Sequence, residues 1–166
     1  MRKYKKLVFY IVIIILVILV IIYFYPRSIN KEYSGIMFRT GENNYSEHIK
    51  VKISGNRTKG LFKGDKFDGV IIIGDRQLNK INMRFDKFHN GNLYYYDENT
   101  GQYVYYGNLI SSNLKDGFTI CVLEGNEQKN GSSSWSSKTG LMISVPASTR
   151  NEALNISNVL MKDMLE

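Results

Sequence analysis

Six tyrosines lie within one short stretch of this chain, and their spacing is its least random feature. They are Tyr94, Tyr95, Tyr96, Tyr103, Tyr105 and Tyr106. Residues 97–101 (DENTG) between them have the composition of a turn, because Asn and Gly tolerate positive φ. The stretch therefore predicts a β-hairpin in which side chains alternate between two faces. One set of rings is expected to fill a core, and the other to face solvent or a ligand.

Four of these tyrosines are candidate ligand contacts because alternation places them on shared faces: Tyr94, Tyr96, Tyr103 and Tyr105. A structural role is the alternative, since cross-strand aromatic pairs stabilise hairpins by about 0.2 to 1 kcal/mol each. Residues 92–101 resemble one unit of the aromatic repeats with which some bacterial surface proteins hold cell-wall polymers. Trp135, alone in a Ser-rich segment, is the fifth candidate contact, and a packing anchor is its alternative role.

Thiol and imidazole groups give no sign of a reactive or metal-binding centre. Cys121 is the single cysteine, so the chain forms no intramolecular disulfide, and its apolar neighbours predict a buried, unreactive thiol. His48 lies on the polar face of a predicted strand, and His89 lies in a predicted turn. A tight zinc site needs three or four ligands. We therefore expect no metal site and no cofactor.

Carboxylates supply the one enzymatic alternative. Asp65, Asp68 and Asp75 bracket an apolar strand, and a pair of such groups can hydrolyse glycosidic bonds. Neighbouring Lys, Arg and Gly residues favour solvated turns with local charge pairs instead. The sequence contains no nucleophile elbow, phosphate-binding loop or dinucleotide fingerprint. We therefore expect a protein that is not an enzyme, with a membrane-tethered hydrolase of an envelope polymer as the alternative.

The chain begins with a basic tail and a long apolar run. Residues 7–25 are 19 consecutive apolar or aromatic residues, which as a helix span roughly 28 Å, close to the thickness of about 30 Å of a bilayer core. They predict a transmembrane signal-anchor helix with the lipid bilayer as its partner. The positive-inside rule makes residues 1–6 a cytoplasmic tail and the remainder an extracytoplasmic domain of a single-pass cell-membrane protein. A cleaved signal peptide is the alternative, although the segment has no small-residue cleavage site.

Charge argues against nucleic acid as a partner. Four of the 22 basic residues lie in the first six positions, which leaves 18 basic against 15 acidic residues in the rest of the chain. Phosphate backbones are bound by clustered Lys and Arg. We therefore expect no nucleic-acid binding.

Beyond a linker at residues 26–32, the pattern indicates a β-rich domain at 33–166. Apolar and polar residues alternate at 49–53 and 80–85, and further strands are predicted every 8 to 12 residues. The continuous apolar run 70–73 predicts a strand covered on both faces. The expected fold is mainly β, an antiparallel meander, sandwich or partial barrel, with one C-terminal helix at 149–165. Thr149 and Glu152 form a capping-box pattern at the start of that helix.

The chain as a whole resembles small single-pass, membrane-anchored extracytoplasmic proteins of unknown function from Gram-positive bacteria. Residues 63–72 (KGDKFDGVII) and 145–153 (VPASTRNEA) carry this resemblance. It implies a location and no chemistry. The sequence thus predicts a binding or interaction module at the cell envelope, with an envelope protein or a cell-wall polymer as its partner.

Overall fold

The computed structural model describes residues 2–61, 64–124 and 135–165. These residues form two helices and eight strands: α1 (Arg2–Phe24), β1 (Arg27–Arg39), β2 (Ser46–Thr58), β3 (Lys66–Ile73), β4 (Arg76–Arg84), β5 (Asn90–Asp97), β6 (Gln102–Asn113), β7 (Gly117–Val122), β8 (Leu141–Val145) and α2 (Arg150–Leu165). Most of the loop predicted around the Ser-rich segment, residues 125–134, lies outside this description.

The eight strands form a closed barrel in which each strand pairs antiparallel with the next along the chain. Pairing of β8 with β1, from Ile36–Ser144 to Arg39–Leu141, completes the ring. The strand order is that of a meander, but the sheet closes on itself, so the predicted fold of an antiparallel meander, sandwich or partial barrel is wrong. Period-two alternation is the same in open and closed sheets, and closure depends on a pairing between strands roughly a hundred residues apart.

Inward-facing side chains fill the barrel. Its core includes Phe67, Phe118 and Leu109, which are fully buried, and Tyr33, whose ring meets that of Phe118 edge-on at 5.6 Å between centroids. An eight-stranded barrel is just wide enough for side chains to fill it. The interior is accordingly an apolar core, and ligands must be sought at the ends or on the outside.

A second core lies between the barrel and α2. Ile36, Phe38 and Met142 face outward from β1 and β8 and pack with Ala153 and Met161 of α2. Strands β1 and β8 are therefore covered on both faces, by the barrel core and by α2. The sequence predicts such a strand at residues 70–73, and the structure does not cover both faces there. In that run Ile71 and Ile73 are buried within the barrel, whereas Val70 and Ile72 are partly exposed.

The start of α2 is fixed by side chains that bond its first free N–H groups. Thr149 Oγ1 accepts a hydrogen bond from the Glu152 amide at 3.2 Å. The Glu152 carboxylate in turn accepts one from the Ser148 amide at 2.8 Å. This reciprocal pair resembles a capping box, with the carboxylate reaching one residue farther back along the chain.

The N-terminal helix does not meet the expectation drawn from its sequence. In the part of the chain that the structure describes, no helix combines the length and apolar character needed to cross a membrane. The transmembrane helix predicted at 7–25 is therefore wrong, and so is the single-pass localisation with an extracytoplasmic domain. The helix ends at Phe24, so Tyr25, which the prediction counted within the span, lies beyond it.

Residues 27–32, for which the sequence predicts a linker, lie in β1 instead. Ile29 and Tyr33 point into the barrel, with exposed fractions of 2% and 5%. Arg27 and Lys31 lie on the same side of β1 as Ile29 and Tyr33, at the end of the barrel. These two charges interrupt the apolar half of the alternation, which is why the pattern does not look like a strand.

A bulge in β6 interrupts the alternation of side chains just past the tyrosines. The β5–β6 register shifts between Leu93–Gly107 and Tyr94–Tyr105, so that Tyr106 is the extra residue. Gly107 follows it at φ 147°, and a Cβ there would lie 2.0 Å from the Cys121 carbonyl oxygen. Only glycine fits this combination of backbone angle and close approach.

Gly107→Ala should therefore lower the free energy of unfolding by about 3 kcal/mol or more. The matched control is Gly101→Ala, in the exposed hairpin turn at φ 67°, where a Cβ meets nothing closer than 3.8 Å. Its cost should be only about 1 kcal/mol, from the backbone angle alone. Urea unfolding of the two variants measures the difference, and equal costs would contradict the bulge geometry.

Candidate ligand-binding surface

Two tyrosine pairs and an asparagine pair form a ladder on the outside of the barrel. In the β5–β6 register Tyr96 is opposite Tyr103, Tyr94 is opposite Tyr105, and Asn92 is opposite Asn108. We call the four outward tyrosines, Tyr94, Tyr96, Tyr103 and Tyr105, the tyrosine face. The structure thus brings together four of the five predicted contact residues.

The rings of the tyrosine face are paired but remain accessible. Centroids of Tyr94 and Tyr105 are 4.9 Å apart with a 38° tilt, and those of Tyr96 and Tyr103 are 5.4 Å apart at 68°. Tyr103 is 59% exposed and Tyr94 is 43% exposed. Each pair stabilises the hairpin, yet it leaves aromatic surface and phenolic oxygen open to solvent.

Neighbouring polar groups fix this face in place. The Tyr105 hydroxyl bonds Asn108 Oδ1, and Asn108 Nδ2 donates to Asn90 Oδ1 at 3.0 Å. Partial burial, followed by the nearby Tyr94, raises the pKa of Tyr105. Lys80 approaches from β4, with its Nζ 4.0 Å from the centroid of the Tyr96 ring. The face therefore combines aromatic rings, amides and one cation.

Tyr95 and Tyr106 point inward, as the predicted alternation requires. They are only 8% and 9% exposed and meet edge-on at 6.3 Å. The Arg76 guanidinium lies 5.1 and 5.3 Å from their ring centroids and donates to the Tyr95 hydroxyl. Burial raises the pKa of Tyr106, although the nearby Arg76 charge lowers it. These two tyrosines and Arg76 close one end of the barrel.

Trp135 is not part of the tyrosine face. It packs against the core beneath α2, and its indole Nε1 donates to the Leu141 carbonyl at 3.2 Å. Gly140 lies directly against the ring, where a Cβ would be 2.2 Å from Nε1. This environment is that of the packing anchor given above as its alternative role.

The other reactive groups have separate surroundings. Cys121 is buried, and burial raises the pKa of its thiol from the ordinary 9.0 to about 12. His48 and His89 are exposed, on β2 and on a turn respectively. Among the residues that the structure describes, no three His, Cys, Asp or Glu side chains are grouped closely enough to hold a metal ion.

The three aspartates that suggested hydrolysis are not gathered into one cavity. Asp65 forms an ion pair with Arg57 at 2.8 Å, and Asp68 forms one with Lys66 at 2.9 Å. Asp75 is exposed in the turn between β3 and β4. None of the three carboxylates lines the cavities that lie at the start of β1 and beside α2.

Sequence reasoning missed several residues of this surface. Lys80 reaches Tyr96 from a bulge in β4, where the register with β3 shifts and its own φ is 51°. Positive φ at a lysine has no sequence signal. Asn92 follows from extending the hairpin register by two residues past Tyr94. Asn108 does not, because it comes opposite Asn92 only through the bulge at Tyr106.

Comparison with known proteins identifies no relative: no family model matches the chain, and neither the curated proteins nor the solved structures contain a significant match.

Burial of neutral thiol and phenol groups makes the fold sensitive to alkali. Burial raises the pKa values of Cys121, Tyr33, Tyr105 and Tyr106 above their unfolded values. The stability that these neutral groups contribute is fully present below their pKa values in the unfolded chain. It is lost as the pH rises through their pKa values in the folded protein. For Cys121 that window runs from 9.0 to about 12.

We therefore expect the free energy of unfolding to be constant from neutral pH to about 9 and then to fall. Urea unfolding as a function of pH measures it, and absorbance of phenolate reports tyrosine ionisation. The variant Cys121→Ala removes the thiol contribution and should reduce the slope above pH 9. A free energy that stays constant up to pH 12 would contradict the burial of these groups.

Proposed function

We propose that this protein is a binding module without enzymatic activity, and that its tyrosine face binds a polysaccharide such as a cell-wall polymer. One observation carries the proposal. Four tyrosines lie side by side on the outer wall of a barrel whose interior is already filled, with Tyr103 and Tyr94 substantially exposed.

Sugars suit the tyrosine face because each sugar ring has both apolar C–H faces and polar hydroxyl groups. Their C–H faces are apolar and pack against aromatic rings, while their hydroxyls need hydrogen-bond partners. Phenolic oxygens and the exposed amide of Asn92 supply both donors and acceptors in the same ladder, whereas the Asn108 amide is bonded to Tyr105 and Asn90. A flat row of rings along two strands also matches an extended polymer better than a small enclosed ligand.

Stabilisation of the hairpin does not by itself explain the face. Pairing of outward rings contributes about 0.2 to 1 kcal/mol for each pair, and β-branched residues would do the same with less exposed aromatic surface. Clustered exposed aromatic side chains are typical of interaction sites. No observation on the three aspartates favours the alternative hydrolase.

The test is calorimetric titration of the purified full chain with soluble hexamers of N-acetylglucosamine and of glucose. The double variant Tyr94→Ala/Tyr103→Ala should weaken binding of the preferred hexamer about tenfold or more, because each ring contributes roughly 1 kcal/mol of contact energy. These two side chains are exposed, so the fold should be retained.

Tyr45→Ala is the matched control. Tyr45 lies before β2, 5.6 Å from the Arg39 guanidinium, away from the tyrosine face. Its loss should leave the affinity unchanged. Absence of binding by the unaltered chain to both hexamers, or equal affinity for the double variant and the parent, would refute the proposal.

A further inference from the structure

A cavity of about 330 Å³ lies at the end of the barrel opposite Arg76, and its lining is strongly basic. We call it the basic cavity; it is lined by Arg27, Ile29, Arg57, Lys59, Ser112, Asn113 and Lys115. The lining has four cationic side chains and no carboxylate. Nothing in the packing of the barrel requires such a concentration of like charge.

The cavity exists because β1 is longer than the strand that closes the barrel against it. Pairing with β8 begins only at Ile36, although β1 begins at Arg27. On the edge away from β2, the first half of β1 therefore faces the β6–β7 turn instead of a strand. Two contacts hold that turn: the Tyr33 hydroxyl donates to the Leu114 carbonyl at 2.6 Å, and Lys31 Nζ donates to the Lys115 carbonyl. The wall is closed by side chains here, and a cavity remains.

Arg57 is the fixed part of this site. Its Nε donates to Asp65 Oδ2 at 2.9 Å, its Nη1 to Asn113 Oδ1 at 3.0 Å, and its Nη2 to the Ser112 carbonyl at 3.1 Å. Asp65 thus neutralises the Arg57 guanidinium. Arg57 therefore shapes the cavity and holds the β6–β7 turn in position.

Three further cations have no such partner. Within the residues that the structure describes, Arg27, Lys59 and Lys115 form no ion pair with a carboxylate. Lys59 Nζ lies 5.3 Å from the centroid of the Tyr23 ring at the end of α1. Bringing like charges together costs free energy. An anionic ligand would offset this cost, and the protein itself does not.

We propose that the basic cavity binds the phosphate group of a small phosphate ester. A single carboxylate would leave two of the three cations without compensation, whereas a phosphate has more charge and several acceptor oxygens. Guanidinium and ammonium groups together are the usual partners of phosphate in proteins. A phosphate alone is much smaller than this cavity, which lies within the volume range of small-molecule sites. Space therefore remains for the alcohol part of the ester beside the apolar Ile29.

This site is independent of the tyrosine face. It is formed by β1, β2 and the β6–β7 turn at one end of the barrel, whereas the tyrosine face lies on the outer wall of β5 and β6. Substitutions at one site should leave binding at the other unchanged. Failure of either proposal is consequently distinguishable from failure of the other.

Calorimetric titration of the full chain with three probes tests the proposal. Inorganic phosphate, glycerol 1-phosphate and glycerophosphoglycerol compare a free anion, a phosphate monoester and a phosphate diester equal to a deacylated lipid headgroup. We expect at least one ester to bind more tightly than inorganic phosphate, with an affinity that falls as salt is added. Tighter binding of the monoester would indicate a free phosphate monoester as the ligand. Tighter binding of the diester would indicate a lipid headgroup.

Lys59→Gln/Lys115→Gln should weaken ester binding about tenfold or more for each cation removed, because each loses a charge-assisted hydrogen bond. The matched control, Lys52→Gln/Lys138→Gln, removes equal charge from exposed positions outside the cavity lining and should bind normally. Thermal unfolding of both variants verifies the fold. Absence of binding by all three probes, or equal loss in both variants, would overturn the proposal.

Discussion

Pairing of β1 with β8 is the interaction on which the rest of this structure depends. It joins Ile36–Arg39 to Leu141–Ser144 and converts an eight-stranded sheet into a barrel without free edges there. Next to this seam, Thr119 of β7 and Ser144 of β8 share a buried hydrogen bond at 2.9 Å on the outer side of the barrel, beneath the α2 region. With the ring closed, the inward side chains of every strand meet in one core, and the covered outer wall becomes the docking site of α2.

Closure also decides where this protein can bind anything. The filled interior excludes a ligand from the middle of the barrel, so the useful positions are its outer wall and its ends. One end is closed by Arg76 with Tyr95 and Tyr106. At the other end β1 extends beyond β8, and the wall there is completed by cationic side chains. The tyrosine face occupies outer wall that α2 leaves uncovered.

The sequence showed local features far better than distant ones. Alternation of Ile49, Val51 and Ile53, the tyrosine hairpin and the start of α2 at Thr149 follow from residues within one element, and the structure places all of them as that local pattern requires. What sequence patterns could not show is which distant strands pair, since the alternation of β1 and β8 is equally compatible with an open sheet. The N-terminal helix was misjudged because the prediction rested on the length of an apolar run, including Tyr25, which lies beyond the helix end.

The candidate sites divide in the same way. Tyr94, Tyr96, Tyr103 and Tyr105 were found because they follow from one hairpin register, whereas Trp135 was grouped with them only by residue type. No sequence pattern joins Arg27, Lys59 and Lys115, which are brought together by three separate chain segments. Charges that are distant in sequence and adjacent in space are invisible until the barrel is closed.

The most direct test of this account is an NMR titration of the full chain with the glycan hexamer that binds. We expect the ring signals of the four outward tyrosines to shift, while methyl signals of Val51, Ile71 and Ile120 inside the barrel stay in place. Shifts confined to the interior methyl groups, with unchanged tyrosine rings, would show that the ligand enters the barrel and would contradict a filled core with an outer binding face.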